Sequence, residues 1–294
     1  MMKKLFKWVI VLFVLTGCYD ERITKKAEEQ LVVATFNIDA KSQPDVDGQR
    51  MLLADHHIDI VGLQEVDKQT IRNPYDMALR FQMEPYVASF FSNAIAFEGG
   101  EYGIACLSQY PFLEKETVKL YSDLFAGEET AKKLADVYRS HIPNDIVEEA
   151  KMDAIQVQNP VEPRVYQRVV FQKGEKRIAF YNTHLSFEDR QLRLEQMKTL
   201  KEVMDQDQCD YIIAVGDFNA DSSTSEYDLF SHDYLLCNGL EGKWLETFNL
   251  QDDSMMSYSV DNIIVSKNIE IEQVMMIPTN LSDHNPLVVT LKLK

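Results

Sequence analysis

The sequence is short of positive charge. Its 294 residues contain 30 Lys and Arg against 47 Asp and Glu, which gives a formal net charge of −17 at pH 7. Proteins that bind nucleic acid without sequence preference are basic, because contacts with backbone phosphates provide most of their affinity. The shortage of cations therefore argues against tight, non-specific nucleic-acid binding. It argues less against a hydrolase, since a divalent cation in a carboxylate-rich site reverses the local field.

Cysteine is scarce, and the usual zinc-binding motifs are absent. The chain has 4 Cys and 6 His, with no HExxH, CxxC or triple-histidine spacing, which argues against a zinc centre. Cys18 lies in the N-terminal segment, and the others are Cys106, Cys209 and Cys237. An odd number without regular spacing predicts no disulfide framework. Three buried thiols are expected, with one bridge among them as the alternative.

The apolar run at the N-terminus is too short to cross a bilayer as a helix, which takes about 20 residues. Lysines precede apolar residues from Trp8 to Leu15, a pattern typical of a signal peptide. The letters LTGC at 15–18 resemble the bacterial lipobox, in which the cysteine is lipidated and becomes the first residue after cleavage. An uncleaved N-terminal anchor is the alternative. Both interpretations place the folded part outside the cytoplasm.

We therefore predict three parts: a lipoprotein signal peptide at 1–18, a polar tether at 19–30 and one folded domain at 31–294. With 45% apolar residues, 15 Phe and 13 Tyr, the domain has ample side chains for a core. The mature protein is expected to be a monomeric, exported bacterial lipoprotein. It would be held at the membrane, on its periplasmic or cell-surface side, by the lipid on Cys18.

From residue 31 onwards, strand and helix patterns alternate. Strands are predicted at 31–38, 58–63, 102–108, 165–172, 177–183, 211–215, 261–265 and 287–293, and helices at 48–56 and 189–206. The residues 173–175, Lys-Gly-Glu, indicate a hairpin turn. This order indicates layers of helices and strands rather than a simple parallel sheet. The charged stretch 122–155 has a helical pattern, and it is either a surface excursion or a cover over a site.

Polar side chains recur where the predicted strands end. They are Asn37 with Asp39, Glu65, His184, Asp217 with Asn219, Asp261, and Asp283 with His284. Each alone is more simply explained as a turn former, a helix cap or a structural histidine. Six such places in one chain are harder to explain by turns. If one rim of a folded sheet gathers these strand ends, the side chains form a site.

These residue types suit the hydrolysis of a phosphate ester. That reaction needs a cation near the phosphoryl oxygens, a base for the attacking water and stabilisation of the leaving oxygen. Mg²⁺ and Mn²⁺ prefer oxygen ligands and keep several waters, so one or two carboxylates suffice. Asn37, Asp39, Glu65 and Asp283 offer such oxygens. Two imidazoles beside carboxylates fit acid–base or phosphate-binding roles.

Seven blocks of the chain occur in a recognisable order across 35–290. They read TFNI, LQEV, YGIACLS, NTHL, GDFNAD, VDNI and SDHNPLVV. The set resembles the endonuclease/exonuclease/phosphatase superfamily, which includes pancreatic-type deoxyribonucleases, abasic-site endonucleases, inositol-polyphosphate 5-phosphatases and bacterial sphingomyelinases. The resemblance implies an α+β fold, a four-layer α/β/β/α sandwich with its site at one rim of the two sheets. It also implies a metal-dependent phosphoesterase with Mg²⁺ or Mn²⁺ as cofactor.

The resemblance further assigns the metal side of the site. Glu65 would bind the essential cation, with Asn37 beside it, and Asp283 would be a further metal-side or water-orienting carboxylate. Two further assignments follow. Glu101 falls where deoxyribonuclease-like members place a carboxylate that orients the first histidine. Arg164 falls where a phosphate-contacting arginine is expected, although Arg168 competes for that place, and a surface ion pair is the alternative for each.

The catalytic side is implied in the same way. Asp217 would orient or activate the attacking water, and Asn219 would hold a phosphate oxygen. His284, partnered by Asp261, would contact the scissile phosphate. His184 would act on the leaving-group or phosphate side.

The substrate stays open among nucleic acid, sugar or inositol phosphate, and phospholipid. Family members that act on DNA usually carry basic or aromatic loops over their groove, whereas 66–100 and 220–258 are acidic or neutral here. Nucleic acid is therefore not favoured, and a lipid anchor suits the other two classes. A non-catalytic lipoprotein that reuses the fold to bind a surface is the second hypothesis. Loss of site residues would favour it, and each catalytic-type position is filled here.

Overall fold

The computed structural model describes residues 29–41, 43–120, 162–220, 222, 224–249 and 258–294. Lipidation at Cys18, the signal peptide, most of the tether and the stretch 122–155 lie outside these residues. In the described part, the strands are β1 (Gln30–Asn37), β2 (Ile60–Lys68), β3 (Ala88–Phe97), β4 (Gly100–Ser108), β5 (Glu114–Leu120), β6 (Arg164–Lys173), β7 (Lys176–His184), β8 (Tyr211–Asp217), β9 (Tyr234–Leu236), β10 (Asp261–Ser266), β11 (Ile269–Met276) and β12 (Leu287–Leu293).

The strands form two six-stranded sheets. The first has the order β11-β12-β1-β2-β4-β3, and the second has the order β5-β6-β7-β8-β10-β9. Each sheet is mixed: β1 and β2 run parallel in the first, β7 and β8 run parallel in the second, and the other neighbours are antiparallel. The parallel pairs occupy the middle of each sheet, so the carboxyl ends of four central strands can share one rim.

The helices are α1 (Val46–Asp55), α2 (Met77–Phe81), α3 (Arg190–Gln206) and α4 (Asp228–Ser231), with one 3-10 turn at Leu240–Gly242. The longest of them, α3, begins after Asp189, whose carboxylate accepts a hydrogen bond from Leu192 N at 2.7 Å. Such a cap satisfies an amide that the first turn leaves without a partner. No helix in the described residues is long and apolar enough to cross a membrane.

Three hydrophobic clusters separate four layers. One lies between the sheets and includes Val33, Phe180 and Val289; a second joins the first sheet to α1 and α2 through Leu53 and Phe81; a third joins the second sheet to α3 and α4 through Leu200 and Phe230. Each sheet thus buries both faces, and each helix buries one. The predicted α/β/β/α sandwich of the α+β class is confirmed.

The strands and helices predicted within the described residues all coincide with elements of the structure, with ends that differ by a few residues. Helix α1 begins two residues before its predicted start at 48, and β2 continues from the predicted end at 63 to Lys68. Cys106 and Cys237 are buried and Cys209 is partly exposed, and all three are free thiols. The alternative of one disulfide bridge is therefore wrong.

Candidate active site

Strand register brings the predicted polar residues to one rim. In the first sheet Asn37 lies opposite Gln64, the residue before Glu65. In the second sheet Asp217 lies opposite both His184 on β7 and Asp261 on β10. Because the sheets pack face to face, these strand ends meet across the top of the core. The fold thus brings these polar strand ends together, as expected from the sequence.

The side chain of Asn37 joins the two sheets. Its Nδ2 donates to Glu65 Oε1 at 3.0 Å and to Asp217 Oδ2 at 3.1 Å. Its Oδ1 accepts from the backbone N of Asp39 at 3.1 Å, which fixes the orientation of the amide. The Asp39 carboxylate itself faces Lys41 Nζ at 2.8 Å. Asn37 therefore holds a carboxylate of each sheet at hydrogen-bonding distance in a buried place.

Glu65 lies at an irregularity of β2. The pairing of β2 with β4 shifts register between Leu63 and Val66, and Glu65 has φ +58°, a region that non-glycine residues seldom occupy. Burial raises the pKa of Glu65 to about 7; the hydrogen bond from Asn37 lowers it, and nearby Asp283 raises it. Burial likewise raises the pKa of Asp283. A divalent cation would relieve this accumulation of buried negative charge.

His284 and Asp261 form a buried ion pair, with Nδ1 2.8 Å from Oδ2. The other ring nitrogen of His284 lies 3.7 Å from Asp217 Oδ2. Burial alone would lower the pKa of His284, but the carboxylates of Asp261 and Asp217 outweigh it and raise the pKa to about 10. The imidazole is therefore protonated near neutral pH. The ring of Phe248 meets it edge-on, with centroids 5.0 Å apart.

His184 lies near the same carboxylate oxygen. Its Nε2 lies 3.5 Å from Asp217 Oδ2. Burial lowers the pKa of His184 well below its usual value, and the charges of Arg164 and His284 lower it further. The two histidines of the rim are therefore in different protonation states at neutral pH, His184 neutral and His284 cationic. This difference gives the two imidazoles different chemistry.

This arrangement matches a known family over most of the chain. The model of the Endonuclease/Exonuclease/phosphatase family matches residues 34–284. The chain belongs to this family. Its members act on phosphate esters, which agrees with the carboxylates, amide and imidazoles at the rim. No match was found among curated proteins.

Solved structures of the family share the fold. An endonuclease/exonuclease/phosphatase from Bacteroides vulgatus has a TM-score of 0.62 at 17% identity and covers 90% of this chain and 99% of its own. A mannosyl-6-phosphatase from Bacteroides thetaiotaomicron has a TM-score of 0.59 at 18% identity, with coverages of 89% and 99%. TDP2 from D. rerio, complexed with single strand DNA product, has a TM-score of 0.58 at 13% identity, with coverages of 90% and 99%. At these identities the likeness concerns the fold alone.

Three residues of the rim also form a compact group of possible metal ligands. Asp217, Asp261 and His284 each present a ligand atom, and these atoms lie within 4.8 Å of one another. Such a group could hold a metal ion, but the ion pair with Asp261 occupies Nδ1 of His284 and keeps the ring protonated. Asp261 Oδ1 is buried without a hydrogen-bond partner among the described residues.

Asn219 connects the loops that follow β7 and β8. Its backbone N donates to Asp217 Oδ1 at 3.0 Å, and its Nδ2 donates to the carbonyl of Leu185 at 2.9 Å. It has φ +51°, which asparagine tolerates better than most residues. One amide proton thus orders the loop after His184. The predicted contact of Asn219 with a phosphate oxygen stays a prediction.

Arg164, not Arg168, is the arginine that lies near the histidines of the rim. Arg164 is buried at the start of β6, where it pairs with Glu162 at 2.9 Å and influences His184. Arg168 is engaged elsewhere, with its Nε 2.7 Å from Asp207. Sequence reasoning missed Glu162, a partly buried carboxylate whose pKa is raised by burial. Glu162 precedes a strand. The search for polar residues at the carboxyl ends of predicted strands therefore could not identify it.

Glu101 is not one of the residues that the fold brings together at the rim. Its carboxylate lies 2.9 Å from Lys68 Nζ and accepts from Asn93 Nδ2 at 3.0 Å. Lys68 is its direct partner in the β2–β4 register, and cross-strand pairs of opposite charge attract. The prediction that Glu101 orients His184 is therefore wrong.

Tyr102, the next residue, is a site residue that sequence reasoning did not single out. Burial raises its pKa well above the usual value; the carboxylates of Glu65 and Glu162 raise it further, and Arg164 and Arg72 lower it. Tyr102 therefore lies among the charged groups on the Glu65 side of the rim. A tyrosine near the start of a strand gives no signal in the sequence that it will lie beside these charges.

A buried polar bridge fixes the two sheets beneath the site. Gln64 Nε2 on β2 donates to Asn182 Oδ1 on β7 at 2.7 Å. Asn182 Nδ2 donates to the carbonyls of Leu63 and Ala105 at 3.1 and 3.0 Å. Gly62 lets the sheets approach, because a Cβ there would lie 2.6 Å from Asn182 Oδ1. Since Glu65 and His184 follow closely along these strands, the bridge sets the spacing of the two halves of the site.

Proposed function

We propose that this protein is a divalent-metal-dependent hydrolase of phosphate esters that works by in-line attack of water on phosphorus. One observation carries the proposal: the amide of Asn37 holds Glu65 and Asp217 together at 3.0 and 3.1 Å, beside the buried pair of His284 and Asp261. A cation side and a water side thus adjoin at one rim. Family membership supports hydrolysis of phosphate esters as the reaction class.

The residues fit a hard divalent cation. Glu65, Asp283 and the amide oxygen of Asn37 would hold it, and oxygen donors of this kind suit Mg²⁺ or Mn²⁺. The raised pKa values of Glu65 and Asp283 indicate negative charge that the described side chains do not fully compensate. When bound, the cation would stabilise charge that develops on the phosphoryl oxygens.

Asp217 would act on the attacking water. Its Oδ1 is held by Asn219 N and its Oδ2 by Asn37 Nδ2, so the carboxylate is fixed in orientation. Burial raises its pKa to about 6, with a further rise from Asp261, which suits a proton acceptor near neutral pH. The water oxygen would bond to phosphorus while its proton passes to Asp217 and the bond from phosphorus to the leaving oxygen breaks.

The remaining groups would bind and orient the phosphate. Cationic His284, held by Asp261, would donate to a non-bridging oxygen, and Arg164 would add a second positive group. Neutral His184 would face the leaving oxygen. Donors that are already oriented stabilise the transition state without reorganisation. Asn219 would hold a phosphate oxygen with its remaining amide proton.

The substrate class is inferred from the charge of the chain and from proteins that share its fold. The net charge of −17 argues against nucleic acid, and we favour sugar or inositol phosphates and phospholipids. Among proteins of this fold, one is named as a mannosyl-6-phosphatase and another was solved with a single strand DNA product. Phosphate esters of different classes thus fit the architecture.

We further propose that the protein is an exported, monomeric lipoprotein, with 1–18 as signal peptide, 19–30 as tether and 31–294 as its domain. The support is the charged and apolar start that ends in LTGC at 15–18. Radiolabelled palmitate supplied to expressing cells should label the protein, and Cys18→Ser should abolish the label. An unchanged label in the variant would exclude lipidation at Cys18.

The activity itself is tested with the purified protein and bis-p-nitrophenyl phosphate. We expect hydrolysis that EDTA abolishes and that Mg²⁺ or Mn²⁺ restores. The Asp217→Ala variant should not hydrolyse the ester. A screen across nucleic acids, sugar phosphates and phospholipids then identifies the class. Hydrolysis that is indifferent to EDTA would exclude the metal, and a folded protein inert on every ester would favour a surface-binding role.

A further inference from the structure

Arg72, in the loop after β2, is an arginine held rigidly at the edge of the rim. Asp67 takes one edge of its guanidinium: Nε lies 2.7 Å from Oδ2 and Nη2 lies 3.0 Å from Oδ1. Asp67 is fully buried, and Thr70 and Asn73 also donate to it. A bidentate pair of this kind fixes both the position and the plane of an arginine.

Aromatic rings fix the face of the same guanidinium. Its carbon lies 4.5 Å from the ring centre of Phe97 and 5.8 Å from that of Tyr102. The side chain of Arg72 is still 25% exposed, and its Nη1 makes no hydrogen bond within the described part of the chain. Arg72 therefore presents an oriented edge of N–H donors to solvent. Stacking and bidentate pairing together leave it few other rotamers.

This edge lies close to the metal side of the site. Asp67 is directly opposite Tyr102 in the β2–β4 register, and it follows Glu65 by two residues. Two residues of any chain span at most about 7 Å, even at the irregularity that Glu65 occupies. The backbone of Asp67, which clamps Arg72, is thus within about 7 Å of the backbone of the residue proposed to hold the cation. That separation is within the reach of a single small substrate molecule.

We propose that Arg72 binds a second anionic group, a phosphate or a carboxylate, on the same molecule whose phosphate ester is cut at the rim. The inference rests on the proposed function and adds a substrate class, esters with two anionic groups. Arginine with a free edge is suited to such oxygens. Lys68, at the end of β2, is less available for such a group, because its Nζ already pairs with Glu101 at 2.9 Å.

The competing interpretation is that Arg72 only balances the buried charge of Asp67. Arg80 offers a matched control, because it also pairs with a carboxylate, Asp47 at 2.8 Å, and lies 5.0 Å from the ring of Tyr75. It belongs to α2, on the outer layer of the first sheet. Arg80→Gln should therefore leave activity and substrate preference unchanged.

The test compares esters that differ by one anionic group. One pair is the 5′-p-nitrophenyl ester of thymidine 5′-phosphate with and without a 3′-phosphate; the other is glucose 1,6-bisphosphate and glucose 6-phosphate. We expect the wild type to prefer the doubly charged member of at least one pair by about tenfold in kcat/KM, as for one charge-assisted hydrogen bond. In Arg72→Gln the ratio should fall to about one.

A folding defect is a separate concern, since Arg72→Gln leaves Asp67 buried without its counterion. The double variant Asp67→Asn/Arg72→Gln removes both charges, and its melting temperature reports whether the loop is intact. It should show the same loss of preference. A purely structural role would lower kcat/KM for both members of a pair equally and leave the ratio as in the wild type. That result, or a wild type without preference in both pairs, would overturn the proposal.

Calorimetry separates this proposal from the proposed function. Binding of thymidine 3′,5′-bisphosphate and thymidine 5′-phosphate can be measured in EDTA, where a metal-dependent hydrolase does not turn them over. We expect the bisphosphate to bind about tenfold more tightly to the wild type, and equally to Arg72→Gln. If all the esters were inert but this difference held, the hydrolase proposal would fail while the role of Arg72 stood. If the wild type bound the two nucleotides equally, the role of Arg72 would be overturned, whereas the hydrolase proposal would be unaffected.

Discussion

Asn37 and Asp217 belong to different sheets, and the side-chain amide of Asn37 donates to Oδ2 of Asp217 at 3.1 Å. Because the same nitrogen also donates to Glu65 at 3.0 Å, one amide places the proposed cation ligand relative to the proposed base. The chemistry of the rim thus depends on how the two sheets pack. Asn37 is buried, so its contacts are shielded from water and strengthened by the low local dielectric.

Replacing Asn37 with Ala should lower kcat by about 100-fold or more, because an oriented polar group at a transition state contributes about that much. Steady-state kinetics on bis-p-nitrophenyl phosphate measure the loss. Asn268→Ala is the control, since Asn268 lies in the turn between β10 and β11 and bonds to the carbonyl of Asp210. Near-wild-type turnover in Asn37→Ala would remove this residue from the mechanism.

Asp217→Ala and His284→Ala should each reduce turnover by about 10² to 10⁴ while the fold survives, the usual range for acid–base groups. The matched control is His232→Ala, whose side chain is 92% exposed beside Asp233. Circular dichroism and the melting temperature show whether each variant is folded. If a folded variant of Asp217 or His284 kept wild-type activity on the true substrate, the assigned role would be wrong.

Glu65→Gln should raise the Mg²⁺ concentration needed for half-maximal activity, because a neutral amide is a poorer ligand for a hard cation. A metal titration of activity provides the measurement. Glu101→Gln serves as the comparison: its carboxylate pairs with Lys68, so its titration should follow the wild type. Superimposable curves for wild type and Glu65→Gln would exclude Glu65 as a ligand.

The stability of the second sheet should depend on pH through Asp207. Burial would raise the pKa of Asp207, but hydrogen bonds from Arg168 and Tyr181 outweigh it and hold the pKa well below its usual range. A folded pKa below the unfolded value of about 3.9 means that the stabilisation is complete above that pH. It is lost progressively as the pH falls further towards the folded pKa.

Urea unfolding at pH 7 and at pH 3 tests this linkage. The wild type should lose stability at the lower pH, and Asp207→Asn should lose less while starting about 2 kcal/mol lower at pH 7, the loss typical of a charged hydrogen bond. Asp210→Asn is the control, since Asp210 is 42% exposed and contacts Lys176 at 3.6 Å. An identical pH dependence in wild type and Asp207→Asn would contradict the assignment.

The strands that could be predicted are those with neighbours on both sides. Both faces of these strands are covered, by the other sheet and by helices. Their sequences are therefore apolar runs, such as IVGL in β2 and YIIAV in β8. The four strands that escaped prediction, β3, β5, β9 and β11, are the terminal strands of the two sheets. An edge strand such as EKETVKL in β5 is largely exposed and charged. The charges prevent the edge from pairing with another chain, but they also remove the apolar pattern by which a strand is predicted.

The site residues divide in the same way. Asn37, His184 and Asp217 could be found because they end central strands, where register alone carries them to the rim. Glu162 and Arg72 lie outside that pattern, in segments beside strands. Glu101 was misplaced because the sequence cannot tell which face of β4 a side chain occupies or which partner it meets.

The sequence by itself determined the residue types at the ends of the central strands and, through their alternation with helices, the kind of fold. The tertiary structure decided which of those residues meet. Asn37 and Asp217 are 180 positions apart, and no local preference specifies their contact. It follows from the packing of two sheets and the polar bridge of Gln64 and Asn182 between them, which are cooperative properties of the whole core.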